Sequence, residues 1–173
     1  MEEAYTIAPM RYVKHLPVLL FLALLALLLD TSRQATATEV GGVICEDTVW
    51  NLGSSPFVAA TNILICEGVT LTIKPGVVVQ LNGKGVRVDG TLVAKGTQTR
   101  PIIFTGGHGI SFTALSADAV FDGNGAYQAG SILQFCAVDG GGIEALGSSP
   151  FIDHCIVQNG APAGIRYTCS GAK

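Results

Sequence analysis

The segment "GSILQFCAVDGGGIEA" (Gly130 to Ala145) is echoed by "SPFIDHCIVQNGAPAGIRY" (Ser149 to Tyr167). Leu133 meets Ile152, Cys136 meets Cys155 and Val138 meets Val157, each 19 residues later, and Gly142-Ile143 meets Gly164-Ile165 at an offset of 22. Upstream, "VICE" (Val43 to Glu46) returns as "LICE" (Leu64 to Glu67) after 21 residues. Self-similarity at a period of 20 to 50 residues marks a stacked-repeat architecture, in which one short unit buries its apolar face against the next.

The content of one period says which repeat. Short apolar runs rich in Val, Ile, Leu, Thr and Phe occupy Val43–Cys45, Ile63–Cys66, Thr70–Ile73, Val77–Leu81, Val86–Val88, Leu92–Ala94, Ile102–Thr105, Ile110–Thr113, Ala119–Phe121, Ile132–Val138, Phe151–Val157 and Ile165–Thr168. Gly, Pro, Asn or Asp separate them, which reads as strands and turns. No dozen-residue window after Thr38 carries an i, i+3, i+4, i+7 apolar stripe, so the class is all-β. A sandwich also consists of short strands, but it would alternate more cleanly and lack the echo. Three short strands in about 20 residues form one coil of a right-handed parallel β-helix, a single-stranded solenoid. Each strand then pairs with its counterpart about 4.8 Å away on the next coil. Equivalent residues stack into apolar ladders, and glycines serve the corners.

Composition agrees. All 22 glycines lie from Gly41 onward, and charged residues make up only 13% of the chain. After Thr38 there are seven Lys or Arg against ten Asp or Glu. That balance offers no basic patch for nucleic acid and no cationic cluster for a membrane surface. The first forty residues differ in kind. Arg11, Lys14 and His15 precede the 14-residue uncharged run Leu16 to Leu29, shorter than the roughly 18 needed to span a bilayer. Ala35-Thr36-Ala37 follows as an A-x-A cleavage site, so residues 1–37 read as a secretory signal peptide, with Met10 as an alternative start. The expected mature chain is 38–173, exported, with no stable membrane span after cleavage.

"GVTLTIKPGVVVQL", "VRVDGTLVAKGTQTRPIIFTGG" and the later "SPFIDHCIVQNGAPAGI" resemble the coils of secreted bacterial right-handed parallel β-helix repeat proteins, the pectate-lyase-like solenoids. The resemblance covers about Gly41 to Cys169. It implies an extracellular or cell-surface module that contacts polysaccharide or other surface components through long flat faces. It equally admits the N-terminal fragment of a polysaccharide lyase or glycoside hydrolase, since such coils carry many functions. The chain departs from the pattern at "YTCSGAK", which stops in mid-coil without a capping element; a longer protein or a second subunit would cover that end.

Candidate chemistry is sparse. Asp118, Asp122 and Asn124 in "DAVFDGNG" offer oxygen ligands for calcium, the one cation the sequence has a place for, but the same residues are what a turn requires. A lyase needs a base beside a neutralised substrate carboxylate. Lys84, Arg87, Asp89, Lys95 and Arg100 form one group of ionisable residues, and Asp139, Glu144, Asp153 and Arg166 another, neither with a dense acidic cluster beside a cation. Asp153-His154-Cys155 invites a nucleophile and base, yet the echo aligns Cys155 with Cys136 and His154 with Phe135, placing the cysteines inward and the aromatics at a bend. Thr70 and Thr72 form a T-x-T pattern without the repetition an ice-binding array needs. No catalytic, cofactor-binding or metal residue is therefore assigned. Cys136 and Cys155, and likewise Cys45 and Cys66, are expected as free thiols, because in-register parallel neighbours run their Cβ vectors side by side.

Cleavage after Ala37 is the expected outcome for the exported protein. Intact-mass analysis checks it, and a mature form that retains Leu16 to Leu29 would establish an anchor instead.

Overall fold

The computed structural model describes residues 36–160 and 164–168. The predicted leader up to residue 35, and the fifth cysteine, Cys169, lie outside the described residues. Among the described residues the chain is an all-β parallel solenoid, and its one helical piece is a three-residue 3-10 turn at Leu52–Ser54.

Successive coils account for nearly every strand. The first coil holds β1 (Thr38–Ile44) and β2 (Thr48–Trp50), and the second holds β3 (Phe57–Ile65) and β4 (Thr70–Ile73). The third is β5 (Val78–Gln80), β6 (Gly85–Val88) and β7 (Thr91–Lys95). The fourth runs β8 (Ile102–Thr105) and β9 (Gly109–Phe112), leaves the solenoid as a hairpin of β10 (Val120–Phe121) and β11 (Tyr127–Ala129), and returns as β12 (Ile132–Gln134). The fifth is β13 (Cys136–Asp139), β14 (Gly142–Leu146) and β15 (Phe151–Asp153); β16 (Ile156–Gln158) and β17 (Ile165–Thr168) begin a sixth. Every pairing between coils is parallel.

The register reproduces the sequence echoes. Val43 faces Leu64, Leu133 faces Ile152, Val138 faces Val157, and Ile143 faces Ile165. Inward positions stack as continuous apolar columns. One column is Phe57, Val79, Phe104 and Val138; another is Ile65, Val88, Phe112 and Ala145, and all eight residues are buried. Large and small side chains also alternate within a column, as Phe112 over Ala145.

Four expectations are corrected. The run Ile132–Val138 is two strands, broken at Phe135, and Phe151–Val157 is likewise broken at His154. Both residues adopt left-handed φ (48° and 49°), which turns the chain at the bend expected of the aligned aromatics and divides each run into two strands. The two rings then stack with centroids 4.7 Å apart. The candidate runs also omit Thr48–Trp50, Tyr127–Ala129 and Gly142–Leu146. Lastly, Cys45 and Cys66 are joined by a disulfide with Cα atoms 5.0 Å apart, rather than being free thiols. Each stands one residue beyond a strand end, at the corner after Ile44 or Ile65, where the backbone turns and the Cβ vectors are no longer held side by side. Cys136 and Cys155 are free, as expected.

Phe112→Ala should cost about 3–5 kcal/mol, because it opens a void in a column that has no other residue to fill it. Urea unfolding monitored by circular dichroism checks the value, and a loss below 1 kcal/mol would mean that the column is not close-packed.

Candidate functional site, an outer groove with a glycine floor

At the start of each strand on one face of the solenoid, Gly85, Gly109 and Gly142 lie in register on consecutive coils. Gly164 stands next in line, its carbonyl accepting from the Ile143 N–H. Over Gly85 and Gly109, which carry no side chains, the outer surface is hollowed into a groove of about 390 Å³. Gly109 is required there. Its φ of +89° is left-handed, and a Cβ would stand 2.0 Å from the Gly142 carbonyl oxygen. Gly85 differs, because a Cβ there would meet its nearest neighbours, in Gly109 and His108, at 3.7 Å, an ordinary contact.

The neighbouring outward column forms one wall. Leu64, Arg87, Ser111, Glu144 and Arg166 stack in register over five coils. Asn62 heads the glycine column one coil before Gly85, its Oδ1 accepting from the Gly85 N–H at 3.0 Å, and exposed His108 stands just before Gly109, its N–H donating to the Lys84 carbonyl. The groove is thus apolar at its base and bordered by an amide, an imidazole, a hydroxyl, a guanidinium and a carboxylate. Such a surface can hold a polar, uncharged or weakly charged chain by many shallow hydrogen bonds.

The wall charges are paired. Arg87 Nε donates to Asp89 Oδ1 at 2.9 Å, and Thr113 Oγ1 donates to the same oxygen at 2.7 Å. Asp89 is buried at the corner after β6, and the hydrogen bond from Arg87 holds its carboxyl below the usual carboxylate range against the opposing effect of burial. Only Nε enters this pair, and among the described residues the two terminal nitrogens of Arg87 have no acceptor. One coil beyond Ser111, Glu144 is bonded by Arg166. The structure therefore brings Arg87, Glu144 and Arg166, drawn from two separate sequence groups, to one wall.

The other candidates are dispersed. Lys95 ends β7 with Nζ 5.1 Å from the Tyr127 ring centroid, and Arg100 closes a turn with Thr97. Asp139 accepts from Asn159 at 2.7 Å. Asp122 is committed to its own hairpin turn, accepting from the N–H groups of Asn124 and Ala126 at 2.9 and 2.8 Å. Asp118 accepts from the Ser149 N–H, so these carboxylates cap backbone. Among the described residues no group of three or more potential ligands converges on a cation position. Asp153 binds Gln134 and His154, whose ring lies on Phe135, while Cys155 Sγ donates to the Leu133 carbonyl at 3.3 Å. Base and thiol therefore face different surroundings. Thr70 and Thr72 face Thr91 and Val93, so the threonine pattern lapses within one coil.

Sequence reasoning missed the groove, although a signal was present. "GVRV", "GISF", "GIEA" and "GIRY" each place Gly before an inward aliphatic and an outward polar residue two positions later.

Comparison with known proteins adds little breadth. No family model matches the chain, and no solved structure does. Protein bark beetle of Drosophila melanogaster is 35% identical over 74 residues, 42% of this chain. The chain spans 2% of the fly protein's length.

Asp89→Asn should lower stability by about 1 kcal/mol near neutral pH, since the pair is partly solvated. A carboxylate with a depressed folded-state pKa stabilises above its unfolded value of about 3.9, and that contribution is lost as pH falls through the folded value. The gap between the parent and Asp89→Asn should therefore close on acidification below about pH 4. Urea midpoints at pH 7 and pH 3 test this, and an unchanged gap would remove the ionised Asp89 from the account.

Proposed function

We infer that the chain is an exported, non-catalytic β-helix module, right-handed as parallel strand connections prefer to be, that contacts glycans at a cell surface or in the extracellular space. The glycine-floored groove carries this reading. It crosses coils that repeat about every 4.8 Å, and so offers a linear chain of sugars a fresh set of polar contacts on each coil. Paired Arg and Glu, the Asn62 amide and Ser111 match hydroxyl groups, which both donate and accept. Shallow contacts of this kind sum along a polymer without an enclosing pocket. The Cys45–Cys66 disulfide supports export, because such bonds persist in oxidising compartments. Turnover finds less support. Arg87 on the groove wall and Arg166, next in the same column, are each tied to a carboxylate, which works against their taking a proton from a sugar carbon.

Binding should be visible as retardation of the protein in gels containing a neutral or uronic polysaccharide. Gly85→Val should weaken it at least tenfold by filling the floor, with the thermal midpoint of the protein little changed. Equal retardation of parent and variant would remove the groove from the reading. Release of unsaturated uronate from pectate, alginate or hyaluronan, dependent on calcium and abolished by changing Arg87 or Arg166, would establish a lyase instead.

A further inference from the structure

Two cysteine pairs occupy equivalent relations in the solenoid. Cys45 and Cys66 join the first two described coils, and Cys136 and Cys155 face each other across the fifth and sixth. The flanking pairs Gln134–Asp153 and Ala137–Ile156 place Cys136 and Cys155 directly in register, so their Cα atoms are about 4.8 Å apart, within disulfide range. Both follow a left-handed corner residue, Phe135 or His154, as the bonded pair also stands at a corner. Neither thiol is engaged elsewhere than with backbone carbonyls, Cys136 Sγ donating to Ala94 and Gln134 at 3.4 Å and Cys155 Sγ to Leu133 and Asp153 at 3.3 Å. Cys136 is buried at 2% exposure, while Cys155 is only half-buried.

We propose that Cys136 and Cys155 form a redox-sensitive lock, a dithiol that closes by exchange with a small-molecule disulfide and fastens the sixth coil to the fifth. The sixth coil is where a lock has an effect. Ile165, inward in register with buried Ile143, remains 44% exposed, so among the described residues this coil packs on the fifth alone. Reactivity has a direction built in. Burial pushes the Cys136 thiol up, whereas half-buried Cys155 stands nearer solvent and is drawn down, so Cys155 ionises first. The Cys155 thiolate attacks one sulfur of glutathione disulfide and expels one glutathione thiolate, leaving a mixed disulfide. Cys136 then gives its proton to solvent, attacks Cys155 Sγ and expels the second glutathione. Two protein thiols are oxidised by two electrons, and one glutathione disulfide is reduced to two thiols.

The test is the full chain incubated with glutathione disulfide at pH 7.5, blocked with an alkylating agent, and cleaved without reduction at Glu144 and Arg166. Those cuts place Cys136, Cys155 and Cys169 on separate peptides. The expected product is a Cys136–Cys155 linked peptide, with a raised thermal midpoint that dithiothreitol reverses. In Cys155→Ser the Cys136 thiol should stay unreacted and the shift should vanish. In Cys136→Ala a glutathione adduct should persist on Cys155. Three outcomes in the parent protein would each overturn the lock: a lasting adduct on Cys155, a Cys155–Cys169 bridge, or two thiols that remain alkylatable. Because Cys155 is half-buried, Cys155→Ser serves as the arm that keeps its fold if Cys136→Ala does not.

Discussion

In-register hydrogen bonding between successive coils is the constraint on which the rest depends. A parallel strand satisfies its backbone only through neighbours on either side, and in a solenoid those neighbours are the preceding and following coils. Once Val138 is paired to Phe104 and to Val157, the side chains above and below each position are fixed. A slip of one residue would turn the whole apolar column outward. Core composition, the glycine corners and the outer groove are therefore consequences of a single register.

That dependence accounts for where irregularity is allowed. The fourth coil carries a hairpin, yet the ladder resumes because β12 pairs with β7 in the same frame. The hairpin rests against the solenoid by aromatic contact, Phe121 meeting Phe151 edge-on at 5.0 Å. Buried hydroxyls close the seam where it leaves and returns. Ser116 and Ser131 bond to each other, and the Ser131 oxygen receives the Leu92 N–H, which has lost its strand partner to the insertion. A polar pair in an otherwise aliphatic interior is tolerated because each member is satisfied.

The groove arises from the same stacking in reverse. A column of residues without side chains is as continuous as a column of isoleucines, so Gly85 and Gly109, in register at strand starts, make one trough rather than separate dents. Its walls are equally columnar, which is why charges far apart in sequence, Arg87, Glu144 and Arg166, come to share one surface.

The sequence by itself determined the all-β class, the coil length and the register of the later coils, because stacking makes equivalent residues chemically alike and an echo of 19 to 22 residues records that directly. It placed Cys136 over Cys155 and Phe135 over His154 for the same reason. Three features were decided only by the tertiary structure. The division of Ile132–Val138 and Phe151–Val157 into separate strands is set by a left-handed backbone angle at Phe135 and His154 that hydrophobic pattern does not encode. The bond between Cys45 and Cys66 depends on both standing just past a strand end, a boundary that apolar runs locate only to within a residue or two. The groove, finally, is a relation between coils separated by 24 residues at Val86–Ile110 and by 33 at Ile110–Ile143. Loops and the hairpin stretch that spacing unevenly, so a fixed period reads past it, and only the folded stack brings the glycines into line.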